Sequence, residues 1–235
     1  MERVFKKICK AYHLGELQGY EKLSGGTEAD TWKLTARGYY LVRTLRDRAQ
    51  GELELAINIH LIKQDFYQMA VVFDTEDGAP ALEVDGIWYQ VQEFCPGKMP
   101  DPARPGVPTQ IAETLKALAR HMPEGMIHGD LGLWNMVAQK DGSLKIIDFG
   151  SARKGDPYFD YATAFAGVIN HTSDKTRTSA CREFLTALEA DRDHLLTQLR
   201  LWAEEGAARW GGISEGMTAR FYHALHWAEE HIYEL

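Results

Sequence analysis

The chain has 235 residues, 45% of them hydrophobic and 26% charged, ordinary proportions for a folded protein with core enough for one large domain or two small lobes. A formal net charge of −8 speaks against nucleic acid as the main partner, since phosphate backbones are gripped by basic patches. Cys9, Cys95 and Cys181 are odd in number, far apart and without CxxC spacing, which argues against a disulfide framework or zinc knuckle and for a reducing, cytoplasmic compartment.

Met1 to Leu14 mixes Lys6, Lys7 and Lys10 with Val4, Phe5, Ile8 and Tyr12, and lacks the continuous apolar core of a signal peptide. No stretch approaches the roughly 20 apolar residues that span a bilayer, so no membrane partner is expected. Trp32–Leu34 and Tyr39–Arg43 read as strands joined by a turn at Gly38. Leu53, Ala56, Ile57, His60 and Leu61 recur at helical spacing and predict a helix over Glu52–Lys63. Val71–Phe73, Leu82–Val84 and Ile87–Phe94 read as further strands, with turn signals at Asp77-Gly78 and Gly86.

Pro96–Pro108 holds five prolines and two glycines and is the best hinge candidate. Beyond it Ile111, Ala112, Leu115, Leu118, Ala119 and Met122 form one apolar helical stripe, with Pro108 near its start. Met136–Ala138 and Leu144–Ile147 read as a hairpin turning at Asp141-Gly142. From about Asp160 onward helices dominate, with Leu195, Leu199 and Trp202 on one face and Phe221, Leu225, Ala228 and Ile232 on another. The expected fold class is α+β and two-lobed: residues 1–95 β-rich around one helix, residues 96–235 mainly helical.

The chemistry concentrates in His128-Gly129-Asp130-Leu131-Gly132-Leu133-Trp134-Asn135 and Ile147-Asp148-Phe149-Gly150. Phosphoryl transfer from a nucleotide needs a carboxylate near the attacking hydroxyl and oxygen ligands for magnesium. Asp130 suits the first task; Asn135 and Asp148 suit the second, provided the hairpin returns Asp148 beside Asn135. Each residue alone is commonplace, and Asp130 can equally cap a turn. The order HGDxxxxN, short hairpin, IDFG is a specific signal.

These segments resemble the aminoglycoside phosphotransferase/choline kinase-like family, in which HGDxxxxN replaces the HRDxxxxN of protein kinases. Gly155-Asp156-Pro157-Tyr158-Phe159-Asp160-Tyr161-Ala162 fits that family's GDPxxDxA continuation. The resemblance implies a protein kinase-like two-lobed fold, ATP (or GTP) and Mg2+ as cofactors, residues 1–95 as the nucleotide-binding lobe and 96–235 as the catalytic and substrate lobe. It implies that Asp160 braces the catalytic loop. It further implies nucleotide contacts at Ser24, Gly25, Gly26 and Thr27, at Arg43 in place of the kinase strand lysine, and through the backbone of Glu93 and Cys95. A plain hairpin turn at Gly25-Gly26 and a surface arginine at 43 are the bland alternatives. The acidic partner of Arg43 is Glu54, preferred because Ile57 and Leu61 continue its face, or Glu52. Asp30 is a departure, an anion unfavourable beside phosphates unless it faces solvent or a metal.

A protein kinase is disfavoured by Gly129 where that family has arginine and by the lack of an APE segment. The expected activity is transfer of a γ-phosphate to a hydroxyl of a small amino sugar or amino alcohol. The alternative is a non-catalytic nucleotide-binding or spore-coat-like structural protein on the same fold. Glu183, Glu189, Asp191, Asp193, Glu204, Glu205, Glu229 and Glu230 either line a site for a cationic acceptor or form solvated helix faces. Trp202, Trp210 and Trp227 either box such a cation or pack in the core. The sequence does not specify the oligomeric state.

Overall fold

Phe5, Ile8 and Cys9 recur at the three- and four-residue spacing of a helix. The computed structural model, which describes residues 1–23 and 29–235, folds Glu2–Ala11 into helix α1 with these three side chains buried. Strands β1 (Gly19–Lys22), β2 (Thr31–Thr35) and β3 (Tyr39–Leu45) follow, then α2 (Arg48–Lys63), β4 (Val72–Phe73), β5 (Leu82–Val84) and β6 (Ile87–Glu93). The strands make one antiparallel sheet in the order β1-β2-β3-β6-β4, with β5 also on β6. The helix expected from Glu52 starts earlier, at Arg48, because the Asp47 carboxylate accepts the Gln50 amide at 2.9 Å and caps it.

Phe5 packs edge-on against Trp32 at 5.5 Å between ring centroids and joins Leu34, Val42, Tyr89 and Val91 in one buried cluster. The alternation of buried and half-buried residues along Thr31–Thr35 is what a sheet covered on one face requires.

The chain divides into two compact units, Met1–Pro96 and Gly97–Leu235. The second opens with Lys98 bridged to Ala138, whose amide donates to the Lys98 carbonyl at 2.8 Å. A Cβ at Gly97 would stand 2.3 Å from the Ala138 carbonyl oxygen, so only glycine permits this approach. Helix α3 (Val107–His121) follows, then β7 (Met126–Ile127), a 3₁₀ turn at Leu133–Asn135, the hairpin β8 (Met136–Ala138) and β9 (Leu144–Ile146), a 3₁₀ turn at Phe149–Ser151, and β10 (Arg153–Lys154). Helices α4 (Pro157–Asn170), α5 (Asp174–Leu188), α6 (Arg192–Trp210) and α7 (Glu215–His231) complete the unit.

Helix α4 is the centre of this unit. Nearly every residue from Phe159 to Ile169 is buried, most of them apolar, and α3, α5, α6 and α7 pack around it. The faces expected on α6 and α7 are the ones that pack: Leu195, Leu199, Trp202, Ala228 and Ile232 are buried. Among the described residues no helix is long and apolar enough to cross a membrane.

Because α1 is held to the sheet by few large side chains, Phe5→Ala should cost about 3–5 kcal/mol. Urea unfolding should show this as a lower midpoint.

Candidate active site

The loop His128–Asn135 is held at both ends. β7 pairs antiparallel with β10, Ile127 opposite Arg153, so the chain leaves and re-enters the site at one place. In the first turn of α4 the buried Asp160 carboxylate accepts the amide of His128 at 2.8 Å and that of Gly129 at 2.9 Å. Burial raises the Asp160 carboxyl above its ordinary range, opposed by the neighbouring His128 and by these two amides.

Gly129 explains the missing arginine. Its φ is +79°, and a Cβ there would lie 2.3 Å from the Ser151 carbonyl oxygen, so any side chain is refused twice. His128 is fully buried and donates from Nε2 to the Ile147 carbonyl at 3.0 Å, since a carbonyl can only accept. Its ring rests 4.7 Å from that of Phe149. His128 thereby ties the first motif to the second.

Asp130 and Asn135 touch directly. The Asn135 Nδ2 donates to the Asp130 carbonyl at 2.8 Å and to its Oδ2 at 3.0 Å. Both partners are oxygens, which fixes the amide orientation and leaves Asn135 Oδ1 as its acceptor atom. The hairpin pairs Met136 with Ile146, and the Ile147 amide extends it by donating to the Asn135 carbonyl at 3.0 Å, so Asp148 lies one residue beyond Asn135's partner. Asp148 is left-handed, φ +63°, and its carboxylate accepts the Gly150 amide at 3.2 Å. Burial raises the Asp130 carboxyl above the usual range and Asp148 pushes the same way, while Trp134 and Asn135 pull it down. Asp130 and Asn135 are thus in direct contact, and the hairpin returns the chain at Asp148 next to Asn135.

In the first unit the Arg43 Nη2 donates to both carboxylate oxygens of Glu54. Arg43 is 4% and Glu54 1% exposed, so this is a buried pair rather than a surface one. The pairing distinguishes Glu54 from Glu52, which instead meets Arg48 at 2.9 Å on the surface. Sequence reasoning missed the rest of the cluster. Arg43 Nε donates to Gln90 Oε1 at 3.4 Å, Gln92 Nε2 donates to the same oxygen at 2.7 Å and to Glu54 at 3.4 Å, and Gln50 Nε2 donates to Glu54 at 3.1 Å. Gln90 and Gln92 are two apart on β6 and face one way, with Gln90 directly opposite Arg43 on β3. That strand register is the signal that would have found them. Among the described residues the buried Gln90 Nε2 has no hydrogen-bond partner.

Ser24, Gly25, Gly26 and Thr27 lie outside the described residues. Asp30 faces solvent in a 2.6 Å ion pair with Lys22. Glu93 ends β6, its amide committed to the Val71 carbonyl at 2.7 Å and its carboxylate to the Val71 amide at 3.2 Å. The half-buried Cys95 has its thiol 3.9 Å from the Glu93 carbonyl.

Several of the acidic residues of the C-terminal helices have partners within their own unit. Glu183 accepts the Gly106 amide at 2.8 Å and the Thr109 hydroxyl at 2.9 Å and so caps α3. Glu189 meets Lys116, Glu205 meets Arg153, Glu229 meets Arg200, and Asp191 caps α6. Trp202 is buried against Phe221, and Trp227 stacks on His231.

A catalytic-type loop braced by a buried aspartate, a β-rich unit with a buried Arg–Glu pair and a helical second unit make this a protein-kinase-like fold. The spectinomycin phosphotransferase solved with ADP and spectinomycin superposes with a TM-score of 0.66 at 11% identity, over 97% of this chain and 94% of that one. The microcompartment-associated aminopropanol kinase gives 0.63 at 15%, over 99% and 98%. A choline kinase from Streptococcus pneumoniae gives 0.57 at 14%, over 98% and 99%. Identities this low establish the fold alone. The family model of the phosphotransferase enzyme family matches residues 102–202, the stretch that contains Asp130, Asn135, Asp148 and Asp160, so the resemblance read from the motifs holds there. No curated protein matches the chain by sequence.

Gly129→Ala should cost about 1–2 kcal/mol from the left-handed backbone alone, with the clash on Ser151 added, read as a lower unfolding midpoint. Glu54→Ala strands a buried guanidinium and should cost about 3–5 kcal/mol. Arg43→Lys keeps a charge for Glu54 but loses the Gln90 contact, and should cost about 1–2 kcal/mol in the same assay.

Proposed function

We propose that the chain is a Mg-ATP-dependent phosphotransferase that moves the γ-phosphate to a hydroxyl of a small molecule. The observation that carries this reading is the direct hydrogen-bonded contact of Asp130 with Asn135, with Asp148 delivered beside them by the hairpin. A structural protein on this fold has no physical use for all three.

In this reading Asp130 orients the acceptor hydroxyl and takes its proton as the oxygen attacks the γ-phosphorus. The new O–P bond forms as the bond to the bridging oxygen breaks, and ADP leaves with that electron pair. Asn135 Oδ1 and the Asp148 carboxylate would hold magnesium, which when bound neutralises charge on the transferring phosphates. Asp160 and His128 do no chemistry; they fix the loop so that Asp130 need not reorganise during transfer. Arg43, aimed by Glu54, Gln90 and Gln92, supplies a fixed positive charge for nucleotide phosphates, and its guanidinium stays protonated throughout. The Glu93 and Cys95 backbone would meet the nucleobase. Ser24, Gly25, Gly26 and Thr27 remain proposed phosphate contacts from the sequence alone.

The acceptor is read as an amino alcohol or amino sugar. The solved relatives named for spectinomycin, aminopropanol and choline support a small hydroxylated amine as its class. The acidic helix residues that have salt-bridge or capping partners are poor candidates for binding its cation.

The test is calorimetric nucleotide binding together with turnover of ATP, and of GTP in parallel, over a panel of amino alcohols and amino sugars with magnesium. Asp130→Ala should keep nucleotide binding but lose about 100-fold or more in turnover, the usual worth of a positioned base. Asp148→Ala should lose the magnesium dependence of binding. A wild-type chain that neither binds nor consumes either nucleotide would leave the non-catalytic reading standing.

A further inference from the structure

We infer that Trp134 is a positioning residue for Asp130, deciding which carboxylate oxygen meets the acceptor. The inference rests on the reading of Asp130 as the acceptor's base.

The indole Nε1–H of Trp134 donates to Asp130 Oδ2 at 3.2 Å. Asn135 Nδ2 donates to that same oxygen at 3.0 Å. Among the described residues no hydrogen bond is made to Asp130 Oδ1. An aspartate carboxylate turns about a soft, two-fold torsion that exchanges its oxygens. Two donors on one oxygen remove that freedom: Oδ2 is committed, and Oδ1 keeps its lone pairs for an incoming hydroxyl.

Gly132 shows that the indole is seated by design of the loop. A Cβ at residue 132 would come within 2.2 Å of Trp134 Cζ2 and 2.3 Å of Cη2. Yet the Gly132 backbone is extended, φ −85° and ψ 173°, a conformation open to any residue. Glycine therefore leaves room for the ring where it stands, while the backbone itself would accept any residue. The 3₁₀ turn, closed by the Asn135 amide on the Gly132 carbonyl at 3.0 Å, folds residue 134 back over residue 132.

Burial does not account for the indole. Leu133 is fully buried and Asn135 is 7% exposed, whereas Trp134 between them is 41% exposed. A tryptophan placed for packing alone would show the opposite pattern. What this side chain spends its polar atom on is the one carboxylate to which the site assigns proton transfer.

The experiment uses the six tryptophans of the intact chain, whose indole N–H groups give separate nitrogen-15 correlation signals. The signal missing in Trp134→Phe belongs to Trp134. In Asp130→Asn that signal should shift while the other five hold, and Gly132→Ala, which displaces the ring without touching either partner, should shift it too. With ATP, magnesium and an accepted amino alcohol, Trp134→Phe should lose about tenfold in kcat, the scale of one hydrogen bond to a charged group, with KM for ATP unchanged. A Trp134 signal indifferent to Asp130→Asn overturns the inference. So does a Trp134→Phe variant that folds and turns over like wild type. Absence of turnover in the wild type removes the reading on which this role rests, and is told apart because the Trp134 signal then still follows Asp130→Asn.

Discussion

Two backbone amides converge on one buried carboxylate, and much of the second unit is arranged around that meeting. Asp160 sits in the first turn of α4, where Asp156 has already capped the helix by accepting the Tyr158 amide at 2.9 Å. A carboxylate there also meets the positive end of the helix dipole. By accepting the amides of His128 and Gly129 it converts the most buried helix of the unit into the anchor of the loop. The anchoring is reinforced a turn or two later, where a Cβ on Gly167 would stand 2.8 Å from Leu133 Cγ. The loop is thus held from below at residues 128, 129 and 133, and the side chains of Asp130, Trp134 and Asn135 are left to face one another.

The first unit solves a different problem with similar means. A buried guanidinium is tolerable only if its charge is neutralised and its fork of donors occupied. Glu54 supplies the charge, and the two glutamines of β6 supply neutral oxygen and nitrogen without adding charge. A lysine would need less company, having one nitrogen to satisfy. The arginine at position 43 and the glutamines at 90 and 92 therefore read as one adaptation. Within it the buried Gln90 Nε2 has no hydrogen-bond partner among the described residues, a donor left over once Arg43 is served.

Legibility in the sequence followed how local each feature was. The trio Asp130, Asn135 and Asp148 was readable because fixed spacing and a short hairpin bring it together with no distant help. The strands β2, β3 and β6 and the stripe of α3 were readable from period alone. Helix α1 was not, because Lys6, Lys7 and Lys10 mask the buried spacing of Phe5, Ile8 and Cys9. The choice between Glu52 and Glu54 needed the helix start, which Asp47 sets from outside the apolar pattern. Glu183, read as either lining an acceptor site or lying on a solvated helix face, instead caps a helix whose Thr109 lies 74 residues before it in the chain. Trp134 stood in full view inside the motif, but its contact runs backward over Gly132, a geometry that spacing does not announce.

The hairpin also bears on how the site comes into being. The amide of Ile147 reaches the carbonyl of Asn135 across a short stretch of chain, and His128 reaches Ile147 within 19 residues. Closing these short loops costs somewhat less entropy than joining distant segments, about 0.6 kcal/mol for each halving of the loop length. Asp160, 32 residues from His128, is brought in from a separate helix. The constellation is therefore largely a local unit of assembly, fastened to α4 through Asp160 and Leu133, and loss of the Asp160 fastening would loosen the start of the loop while leaving its internal contacts formed.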